Sequence, residues 1–109
     1  MDGLVLQTSA SLGSGAWSAG GSRHQRQGAI YVFQEPGRTA FVWEPVRSDP
    51  GPYLELESEQ ILGVRKVASG LNTIIDLAFI NNHGQEVVVN LTGPRGRMKK
   101  FCAYIGRPI

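Results

Sequence analysis

Apolar and polar residues alternate along most of this chain, and the alternation stops at one point near the C-terminus. Residues 29–34 and 39–44 are rich in Ile, Tyr, Val, Phe and Trp, and Pro36-Gly37 turns between them. The stretch "GAIYVFQEPGRTAFVWEP" therefore predicts a hairpin. Tyr31, Phe33, Phe41 and Trp43 fall on alternate positions, which predicts a single aromatic face turned to the core, with Trp43 partly exposed beside the next loop. Ser48-Asp49-Pro50-Gly51-Pro52 is a loop by composition, and in Tyr53-Leu54-Glu55-Leu56-Glu57 the leucines face one way and the glutamates the other. Ile61 to Val67 is a further strand, followed by the turn Ala68-Ser69-Gly70. Ile75, Leu77 and Phe79 alternate with Asp76, Ala78 and Ile80, and Val87, Val89 and Leu91 with Glu86, Val88 and Asn90. Asn81-Asn82-His83-Gly84 between them suits a hairpin turn. Leu4 to Leu12 can supply one more strand, whereas Ser9 to Ser22, rich in Gly, Ser and Ala, predicts a flexible loop. Trp17 in that loop is either a packing anchor or a protruding contact.

The period changes at Thr92-Gly93-Pro94. Met98, Phe101, Cys102 and Ile105 then lie on one face of a helix spanning residues 94–105, with Pro94 in its first turn and Gly106 and Pro108 as stop signals. The pattern predicts a mainly β domain: about seven short antiparallel strands forming a partly open barrel or sandwich, capped by one C-terminal α-helix.

A chain of 109 residues corresponds to one domain, and 41% apolar residues suffice for one modest core. The 14 glycines and 6 prolines fit many turns and few long helices. A net charge of +2 excludes a histone-like nucleic-acid binder but leaves room for a local basic patch. With one cysteine, Cys102, no internal disulfide is available. No apolar run approaches the roughly 20 residues that span a bilayer. Leu4-Val5-Leu6 is too short an apolar run for a secretory signal, so the expectation is an intracellular protein, cytoplasmic or nuclear, or peripheral at a membrane. Without secretion, Asn90-Leu91-Thr92 matches the glycosylation pattern by chance. The ending Gly106-Arg107-Pro108-Ile109 reads as a linker cut short, which leans towards an excised domain.

Catalysis needs a nucleophile, a base or a metal with mutual support, and none is legible. Cys102 falls on the apolar helix face, His83 in a tight turn, and His24 among Arg23, Gln25 and Arg26, with no zinc spacing. Glu55 and Glu57 read as a solvated acidic face, while Glu59 and Asp76 have no evident partner role. Gly13-Ser14-Gly15 lacks the Lys-Ser/Thr ending of a phosphate loop. No enzyme, cofactor or metal is expected. The basic residues form three groups: Arg23, Arg26 and Arg38 around the first hairpin; Arg65 and Lys66 at a strand end; and Arg95, Arg97, Lys99 and Lys100 on the solvent side of the helix. Cations in the first helical turn oppose the macrodipole, so Arg95 and Arg97 serve either solubility or an anionic partner.

The strand order and the segments "GAIYVF", "FVWEP", "LELESEQILGV" and "QEVVVNL" resemble the GRAM-like branch of the pleckstrin-homology-like superfamily over residues 28–105. "RQGAIYVFQEPGRTAFVWEP" is similar to the N-terminal domain of the large core subunit of transcription factor IIH, departing after Val67. "LQTSAS", "FVWEPV" and "LESEQILGVRKVASGL" are similar to the N-terminal domain of TBC-type Rab GTPase-activating proteins, without the insertion many members carry after Pro45. The first resemblance implies a non-catalytic adaptor whose fifth to seventh strands meet an acidic peptide, which brings in Arg65, Lys66 and Asn72, with Arg38 as a weaker candidate. The second implies a component of a small-GTPase pathway as partner. The alternative is an anionic phospholipid, a phosphoinositide above all, held by Arg23, Arg26, Arg97 and Lys100. Lipid-binding members carry a basic first loop, and Ser9 to Ser22 has no basic residue, which favours a protein partner. No specific nucleic acid is expected.

Overall fold

The computed structural model of the chain describes residues 3–17, 25–46 and 53–109. Seven antiparallel strands form one open sheet, followed by one C-terminal helix, as the pattern predicts. The strands are β1 (Leu4–Ser14), β2 (Arg26–Glu35), β3 (Arg38–Pro45), β4 (Leu54–Glu57), β5 (Ile61–Ser69), β6 (Asn72–Ile80) and β7 (Glu86–Pro94), and the helix α1 is Arg95–Tyr104. Their order across the sheet is β4-β3-β2-β1-β7-β6-β5. This arrangement is consistent with the pleckstrin-homology-like order.

β1 joins the two halves. Its residues from Leu4 to Leu12 pair with β2, and Ser11 to Ser14 pair with β7. The expected loop from Ser9 is therefore corrected: residues 9–14 belong to a strand, with Ser11 and Gly13 buried. Trp43 approaches this strand closely at Ala10. The Trp43 indole Nε1 donates to the Ala10 carbonyl at 2.9 Å. A Cβ on neighbouring Gly28 would lie 2.6 Å from the same indole.

The hairpin of β2 and β3 turns at Pro36-Gly37, where Gly37 adopts a φ of 76° that side-chain-bearing residues avoid. This two-residue turn sets Ile30 opposite Trp43, Tyr31 opposite Val42, Val32 opposite Phe41 and Phe33 opposite Ala40. Odd positions on one strand thus face even positions on the other, and a shared face cannot collect all four aromatics. Phe41 and Trp43 go inward, fully buried with Ile30 and Val32, while Tyr31 and Phe33 lie half-exposed on the outer face. Both the single aromatic face and the partly exposed Trp43 are corrected.

α1 packs on β7, β1 and β6. Met98, Phe101, Cys102 and Ile105 are buried, as the period predicts, in one core with Leu77, Phe79 and Val89. The Phe101 ring meets Phe41 edge-on, centroids 4.9 Å apart at 83°, so the helix ties the core to the β2–β3 half as well. The tail read as a linker is docked: Arg107 Nη2 donates to the Ile61 carbonyl at 2.8 Å, and Ile109 packs against the core.

Candidate functional site

Cys102 is buried, and loss of solvation pushes its thiol up to about 12 from 9.0. His83 is exposed in the β6–β7 turn, where its N–H donates to Asn81 Oδ1. Glu57 is held by Arg38. Among the described residues no three His, Cys, Asp or Glu side chains gather as metal ligands would. Asn90 is 1% exposed, and its side chain is committed inside the fold.

Among the described residues, the basic side chains do not converge on one place. Arg65 lies on the outer face of β5, opposite Asp76, and its Nη2 reaches Asp76 Oδ2 at 2.7 Å. Lys66 is exposed and opposes Ile75, a core residue, so consecutive positions send the two cations to opposite sides of the strand. Asn72 is exposed at the start of β6, opposite Pro94. Arg38 sits at the β2–β3 turn, engaged by Glu57 in a half-exposed ion pair. The Arg26 guanidinium carbon lies 5.4 Å from the centre of the Trp43 ring. Arg23 and His24 fall outside the described residues.

Arg97 and Lys100 have a different setting. They lie at i and i+3 on α1, so with Ala103 and Tyr104 they form one stripe along the helix. That stripe faces Val5, Leu6 and Gln34 across a groove of about 450 Å³ with no carboxylate in its lining. The groove continues along Leu4–Ser9, again beside Arg97. A bulge in β1 between Leu4 and Leu6 shapes the wall: Val5 is the extra residue, and both Leu4 and Val5 end up exposed, at 42% and 38%. No acidic residue occupies the first turn of α1, so nothing in it offsets Arg95 and Arg97.

A polar network that composition does not announce lies on the outer face of β6 and β7. Asp76 accepts from the Trp17 N–H at 2.8 Å through Oδ1 and from Arg65 through Oδ2. Asn90, directly opposite Asp76, donates to the Gly15 carbonyl at 2.9 Å and accepts from Gln25 Nε2 at 2.9 Å. Gln25 also reaches Thr92 Oγ1 at 3.3 Å. These bonds hold residues 15–17 and Gln25 against the sheet, so Trp17 is an anchored, half-buried residue. The signal was present in the β6–β7 hairpin: its turn at Asn81–Gln85 fixes the register that pairs Asp76 with Asn90. No protein-family model and no curated protein matches this sequence.

Proposed function

We propose that this chain is a non-catalytic, pleckstrin-homology-like interaction module that captures an acidic segment of another protein along the groove between β1 and α1. The observation that carries this reading is the pairing of Arg97 and Lys100 with exposed Val5 and half-buried Tyr104 in a groove without carboxylates. Carboxylates entering it gain charge-assisted hydrogen bonds, and an aliphatic anchor covers Val5. Arg65 is less suited as the main contact because Asp76 already holds its guanidinium, whereas the exposed Lys66 can serve as a secondary contact. The resemblances to transcription factor IIH and to Rab-regulating proteins suggest an assembly factor of that kind.

Titration with an aspartate-rich peptide carrying aliphatic anchors tests the proposal. Arg97→Glu with Lys100→Glu should weaken binding by about tenfold or more, and salt should weaken it further. Arg65→Glu with Lys66→Glu should do less. An equal loss in both double variants, or loss only in the second, would return the site to β5. A second reading, an anionic membrane surface, is favoured by the exposure of Leu4 and Val5 beside the same cations. Co-sedimentation with phosphoinositide vesicles but no peptide binding would select it.

A further inference from the structure

A second surface lies on the other face of the sheet. The outer face of an antiparallel sheet normally carries polar side chains into water. On β2 and β3 the outward positions instead hold Tyr31, Phe33, Ala40 and Val42, all half-exposed. They floor an open hollow of about 500 Å³. Its rim is acidic: Glu35, Glu44 and Glu55 are exposed and make no ion pair among the described residues. The one cation among the described rim residues, Arg38, is taken by Glu57.

We infer that this hollow docks a cationic segment of a partner protein, one that alternates Arg or Lys with aliphatic residues. Three features select that occupant together. The carboxylate rim attracts positive charge and repels acidic chains. The aromatic rings of Tyr31 and Phe33 in the lining favour a guanidinium over an anion. The apolar floor leaves area for aliphatic anchors to cover. The charge preference is opposite to that of the β1–α1 groove, so the two surfaces bind different chemistry, and neither depends on the other.

The test uses the full chain, isotope-labelled, and end-blocked peptides of alternating Arg and Leu or of alternating Glu and Leu. The Arg–Leu peptide should shift amides of β2, β3 and β4, and the Glu–Leu peptide should leave them in place. Glu44→Lys with Glu55→Lys changes only exposed side chains and should weaken Arg–Leu binding by about tenfold, with melting unchanged as the control for folding. Glu35→Lys should give a smaller loss in the same direction. No shift on these strands with the Arg–Leu peptide, equal binding of both peptides, or indifference to the charge reversals would overturn the inference. Concentration-dependent self-association mapped to the same amides would also overturn it, by assigning the face to a second copy of the chain.

Discussion

On the outer surface of β6 and β7, the positions opposite each other hold Asp76 and Asn90, buried beneath residues 15–17 and Gln25. On the outer surface of β2 and β3, the matching positions hold Tyr31 opposite Val42 and Phe33 opposite Ala40, and they line an open hollow. The two halves share a sheet and a core, yet they finish their outer faces in reverse fashion. One half buries polar groups by giving each a partner, which costs little because no buried side-chain polar atom is left without a hydrogen bond among the described residues. The other leaves apolar groups in water, which a fold does not require. A surface that folding does not explain is where a partner is best sought.

Both halves close on one core, and the largest expected effect tests that. Phe101→Ala removes the ring that meets Phe41 and should cost about 3–5 kcal/mol in chemical denaturation. An unchanged melting curve would mean that α1 does not hold the halves together. Cys102 reports on the same core. Its thiol keeps its proton in the native state up to about 12, whereas an unfolded thiol loses it from about 9. The stability from this group is therefore complete below pH 9 and falls as pH rises towards 12. At neutral pH a small thiol reagent should label the native protein only as fast as it opens. Fast labelling would contradict the burial.

Next in size are the partners of the network. Asp76→Ala removes the acceptor of the Trp17 N–H and of Arg65, and should cost about 2–3 kcal/mol. Asn90→Ala should cost about 1–3 kcal/mol, by leaving the Gly15 carbonyl and Gln25 without their partner. Both should speed hydrogen exchange at residues 15–17. Truncations on the opposite half sharpen the contrast: Tyr31→Ser and Phe33→Ser should each cost about 1 kcal/mol or less, because these rings are only half-buried. Equal costs on the two faces would erase the distinction. The smallest effect is Arg38→Ala, worth about 0.5 kcal/mol or less, since its ion pair with Glu57 is open to water and screened by salt.

Periodicity made β6, β7 and the buried face of α1 legible, because Ile75, Leu77 and Phe79 and the Met98–Ile105 set follow their periods cleanly. β1 was ambiguous: Leu4 to Leu12 can read as a strand, yet Ser9, Ala10, Ser11 and Gly13 also look like a loop, and Trp43, which bonds the Ala10 carbonyl, is more than thirty residues away in sequence. The aromatic faces were misassigned because alternation within a strand fixes parity only for that strand. The two-residue turn sets the relative parity of β2 and β3. The network was only half legible: the β6–β7 turn implies that Asp76 faces Asn90, but the Trp17–Asp76 contact joins residues 59 apart. The adjacent Arg65–Lys66 pair on one strand already implied that their side chains diverge, but nothing in it showed the Asp76 partner.

The central claim, one sealed outer face and one open one, is tested most directly by solvent paramagnetic relaxation with a soluble neutral probe. The ring protons of Tyr31 and Phe33 and the methyls of Val42 should broaden strongly, while the Asn90 side-chain amide and the Trp17 backbone amide should remain sharp. Broadening of the Asn90 amide to the same degree as the Tyr31 ring would contradict the account.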